Sequence, residues 1–84
     1  MPHESLHHIF FNSKAQVSLG AMYYDGKGVE KDMVQALMWH NLSVENGSDD
    51  AKQNRDTLEK EATPEQISEA KKLSDEWMQK HDLR

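Results

Sequence analysis

No cysteine occurs among the 84 residues, which excludes disulfides, thiolate zinc sites and cysteine nucleophiles. No apolar run approaches the roughly 20 residues needed to span a bilayer. The run Ile9-Phe10-Phe11 is too short for a signal-peptide core, and no basic stretch precedes it. A cytoplasmic protein without a membrane partner is therefore expected. Clustered basic charge is missing as well: the formal net charge is −5, and Lys71 and Lys72 sit close to Asp75 and Glu76, as on a solvated helix surface. That pattern argues against nucleic acid, whose phosphates call for grouped cations. Apolar–polar alternation of the strand type is absent throughout, so the expected fold class is all-α.

What is present is a set of helix boundaries. Ser13 with Gln16, Asp32 with Gln35 and Thr63 with Gln66 all have the capping-box spacing, in which a short polar side chain bonds an early amide and the later side chain reaches back. Pro64 then occupies a first helical position, where its missing N–H costs nothing. Gly26 and Gly47 stand where helices close in the left-handed conformation. These signals predict helices over 13–24, 33–46, 49–61 and 64–80, with the loop Asp25–Lys31 turning on Gly26 and Gly28 and tucking Val29 beneath the helices. Gly-Lys-Gly is not a phosphate cradle, because no strand precedes it and the P-loop spacing is absent.

Helix faces say more than helix limits. At about 100° per residue, Ala15, Leu19, Met22 and Tyr23 share one side of the first helix, and Val17, Gly20, Ala21 and Tyr24 form a second stripe. The second helix carries Met33, Ala36, Leu37, His40 and Val44 on one face, and Val34, Met38 and Leu42 on another. A helix apolar on several sides needs several neighbours. The third helix, with a thin Leu58–Ala62 stripe, is expected to cover only part of that surface, leaving the rest for a partner. The fourth is one-sided through Ile67, Ala70, Leu73 or Ser74, and Trp77, as in helices that terminate a solenoid. On this basis the residues expected to bind a partner are Val17, Gly20, Ala21, Tyr24, Val34, Met38, Trp39 and Leu42. That partner is expected to be another protein or a second copy of the chain.

The combination Ala15, Leu19, Gly20, Met22, Tyr23, Gly26, Gly28, Val29, Asp32, Ala36, Trp39, Gly47 and Ala51 resembles the Sel-one-like repeat family, a relative of the tetratricopeptide solenoids. Asn54-Arg55-Asp56, Thr63–Ile67, Glu69-Ala70 and Glu76-Trp77 look like the closing helices of bacterial members. The resemblance implies an N-terminal extension at 1–12, one repeat at 13–48 and C-terminal capping helices at 49–84. It also implies a non-enzymatic scaffold that presents helical surfaces to proteins, with no cofactor. His40 stands where the family often has an aromatic residue, and Ser43 where it often has alanine. Arg55 replaces the leucine that opens a further repeat.

Candidate chemistry is sparse. His3 and His7 would share a helix face at i, i+4, with His8 and Glu4 nearby, but the ligand set is incomplete for a metal. Asp49, Asp50, Glu59, Glu61, Glu65, Asp75 and Glu76 fall on helix starts and solvated faces rather than in a pocket that would raise a pKa. No nucleophile-elbow sequence supports a triad, so no catalytic or metal-ligating residue is expected. The β-lactam-directed activity of some cysteine-rich relatives does not carry over without their disulfide framework. Two alternatives stay open: a fragment of a longer repeat array without a separate role, and a small histidine-based metal-binding protein.

Overall fold

Asn12 is the first residue that the computed structural model describes, and its description continues to Lys80. Four helices lie in that span: α1 (Ser13–Asp25), α2 (Met33–Glu45), α3 (Asp49–Glu61) and α4 (Pro64–Lys80). No strand occurs among the described residues.

Short polar side chains start each helix. Thr63 and Gln66 make the full reciprocal box: Gln66 N–H donates to Thr63 Oγ1 at 3.1 Å, and Thr63 N–H donates to Gln66 Oε1 at 2.9 Å. Asp32 accepts from Gln35 N–H at 3.1 Å, and Ser48 accepts from Ala51 N–H at 3.1 Å. The first helix differs from expectation. Its cap is Asn12, whose Oδ1 accepts from Ala15 N–H at 3.0 Å, and Ser13 is already helical. Gln16 does not reach back, because its Oε1 accepts instead from Asn46 Nδ2 at 2.9 Å. Thr63→Ala removes the Oγ1 acceptor of this cap while the backbone N–H half stays, and a loss of about 1 kcal/mol is expected. A thermal midpoint about 4–8 °C lower checks it.

The first helix stops at Gly26, whose φ of +76° lets its N–H donate to the Met22 carbonyl at 2.7 Å. The loop then returns, with Asp32 N–H donating to the Tyr23 carbonyl at 2.9 Å.

α2 is the hub, and α1, α3 and α4 each pack mainly on it. This explains why α2 is apolar on several sides: Ala36, Leu37, Met38, His40, Leu42 and Ser43 are all buried. One cluster joins Ala36 and Leu37 to Leu58 of α3 and Ala70 of α4. The other joins Met38 and Leu42 to Met78, with Leu73 and Trp77 against them. The uncovered side expected on α2 is therefore covered within the chain, by α4. The closing helix does not simply stack on α3. It crosses to α2, where Ser74 accepts from Asn41 Nδ2 at 3.2 Å and donates to the Ala70 carbonyl at 2.7 Å.

Candidate interaction surface

α1 meets α2 through Gly20. A side chain there would overlap the His40 ring and press on the Ala36 carbonyl, so the absence of a Cβ is what admits the imidazole. His40 is only 3 % exposed. Its Nδ1 lies 2.8 Å from the Ala36 carbonyl, an atom that can only accept, so Nδ1 carries the proton and Nε2 keeps a lone pair. Burial lowers the His40 pKa below the ordinary 6.5, partly offset by that carbonyl bond.

The sign of the resulting pH dependence follows. The unfolded chain takes up the proton more readily, so this contribution is intact above about pH 6.5. It is lost as the pH falls through 6.5 toward the depressed native value. Urea midpoints at about pH 7.5 and about pH 5.5 are expected to fall more steeply for wild type than for His40→Gln.

Across from His40, α1 and α3 are tied by Tyr24, whose hydroxyl donates to Glu61 with oxygen distances of 2.8 and 2.9 Å. The hydrogen bond to Glu61, followed by desolvation and the charges of Glu61 and Asp25, raises the Tyr24 pKa above 10.0, so the phenol stays a donor. Lys31 Nζ lies 5.4 Å from the same ring's centroid. Between these side chains runs a groove of about 250 Å³, lined by Ala21, Tyr24, His40, Asn54, Thr57, Leu58 and Glu61.

The residues expected to face a partner separate into two groups. Gly20, Met38 and Leu42 are buried by the chain itself, which fixes their first role as packing. Val17, Tyr24, Val34 and Trp39 are half-buried, and Ala21 is exposed. Val34 leans on the first core cluster. Trp39 stacks edge-on against Trp77 with centroids 5.8 Å apart, and its buried Nε1 has no hydrogen-bond partner. Tyr24 packs against the first core cluster as well, so Val17, Ala21 and Tyr24, spaced i, i+4, i+7, form a stripe that is open at Ala21 and half-covered at its ends. On the side of α1 expected to be the main core stripe, Met22 is instead 36 % exposed, and the buried positions are Gln16 and Gly20. Asn54, Thr57, Leu58 and Glu61 were not among the expected contacts, although their i, i+3, i+4, i+7 spacing marks one face of α3.

Residues 13–48 match the family model described as Sel1 repeat. The chain carries a Sel1 repeat. No curated protein and no solved structure matches it. Sel1 repeats are generally protein-interaction modules and typically non-enzymatic. In this chain α1 and α2 make up the Sel1 repeat, and α3 and α4 supply the covers outside it. His3, His7, His8, Ile9-Phe10-Phe11 and His81 lie outside the described residues. Among the described residues no group of three or more His, Cys, Asp or Glu is placed to hold a metal. No described helix is long and apolar enough to cross a membrane.

Proposed function

We propose that this Sel1 repeat is a non-enzymatic adaptor that binds another protein through α1 and the adjoining groove. The observation that carries this reading is the Val17–Ala21–Tyr24 stripe, open at Ala21, on a repeat whose α2 faces are occupied by α3 and α4. Ala21 lies at its centre and at the groove wall. Small exposed side chains let a partner helix approach closely, and Tyr24 supplies rigid contact area at low entropic cost. Tyr24 bonds Glu61, and His40 bonds a backbone carbonyl, instead of standing poised for proton transfer, which supports binding rather than catalysis.

Ala21→Arg places a long charged side chain on the stripe without touching the core. Proteins retained by the wild-type chain in affinity capture are expected to be lost from Ala21→Arg and kept by Lys52→Glu, with unchanged thermal midpoints. Capture that survives Ala21→Arg contradicts the assignment. Sedimentation of the wild type identifies the case in which the partner is a second copy, as a mass that grows with concentration.

A further inference from the structure

We propose that the α1–α3 groove receives an arginine side chain of the partner protein. This rests on the interaction reading above and names the chemistry it uses. Most hydrogen-bond donors on the groove wall are already committed. Tyr24 spends its O–H on Glu61, Thr57 donates its O–H to the Gln53 carbonyl at 3.0 Å, and His40 spends Nδ1–H on the Ala36 carbonyl. What the exposed groups still offer is lone pairs: on Tyr24 Oη, Thr57 Oγ1 and the Glu61 carboxylate. Asn54 alone among the lining residues keeps free N–H donors, and its amide also presents an oxygen.

A groove with committed donors and open acceptors fits a ligand that only donates. The guanidinium group is that ligand: five N–H donors in a planar fork, no acceptor, and a permanent positive charge to meet Glu61. An ammonium is a compact point charge and does not span acceptors held on two different helices. Ala21 and Leu58 give apolar walls for the methylene stem. The Tyr24 ring already attracts Lys31 Nζ from within the chain, and an aromatic face also suits guanidinium stacking. The volume of about 250 Å³ suits one side chain and lies below the roughly 300–1,000 Å³ of sites for drug-sized ligands.

The test is titration of the isotope-labelled full chain with the peptide acetyl-Ala-Ala-Arg-Ala-Ala-amide, followed by amide chemical shifts. Saturable shifts are expected at Ala21, Tyr24, Asn54, Thr57, Leu58 and Glu61. A citrulline peptide of the same shape and a lysine peptide are each expected to bind about tenfold more weakly or worse. Glu61→Gln is expected to weaken the arginine peptide about tenfold, whereas Glu65→Gln, with the same change in net charge, leaves it unchanged. Lack of saturation by about 20 mM overturns the proposal. Equal binding of either control peptide, or an equal loss in Glu65→Gln, does the same. If the peptide fails while Ala21→Arg still abolishes protein capture, the arginine assignment falls and the adaptor reading stands. If capture also survives Ala21→Arg, both fall.

Discussion

Gly20→Ala is expected to lower the thermal midpoint by about 8–16 °C, a fall of about 2 kcal/mol. The sign is the informative part. On an open helix face the same change stabilises by roughly 0.5–1 kcal/mol, because alanine has less backbone freedom to lose. Here the new methyl group meets the His40 ring, which cannot swing aside while Nδ1 holds the Ala36 carbonyl. It also lies 3.2 Å from that carbonyl oxygen. Overpacking of this kind costs typically 1–3 kcal/mol, and here it exceeds the gain in helix propensity. Removing the ring should cancel about half of the penalty, the Ala36 carbonyl contact keeping the rest, so Gly20→Ala is expected to cost about 1 kcal/mol less in a His40→Ala background. A rise in the midpoint of the single variant would show that α1 does not sit against His40.

Leu42→Ala is expected to cost about 2–5 kcal/mol, since Leu42 is 2 % exposed and packs with Met38 and Met78 under Trp39, Leu73 and Trp77. A chain of this length has a total stability of about 4–13 kcal/mol, so the loss is a large share of it. The experiment also separates packing from association. If Leu42 is filled from within the chain, the urea midpoints of wild type and variant stay fixed when protein concentration changes roughly twentyfold. If Leu42 needed a partner's cover, the wild-type midpoint would climb with concentration and the variant would lose that climb.

Helix limits were legible in the sequence because they are written in local chemistry. Asp32, Thr63, Pro64, Gly26 and Gly47 each act within a turn of their own position, and the helices begin and end within a residue of where those signals put them. The many-sided apolarity of α2 was legible for the same reason. Periodicity could not say what covers each side. The outer face expected on Met38 and Leu42 is filled by α4, whose Met78 went unnoticed one position after Trp77. On α1 two stripes interleave, and only the partner decides which one turns inward. Gly20, one residue of the second stripe, decides it by admitting His40. Tyr24 and Glu61 lie 37 positions apart, and a pairing at that range leaves no periodic mark.

The route of α4 back to the hub also bears on how the chain assembles. Repeat arrays commonly gain structure by nucleating at one unit and propagating to its neighbours. Here Ser74 sits 36 positions beyond Met38, the residue whose neighbourhood it closes. During synthesis α2 therefore emerges long before its last wall, and the Met38–Leu42 flank stays wet until Met78 follows. Sequential zippering is replaced by one late closing event, and the repeat and its C-terminal helix should acquire protection from hydrogen exchange together.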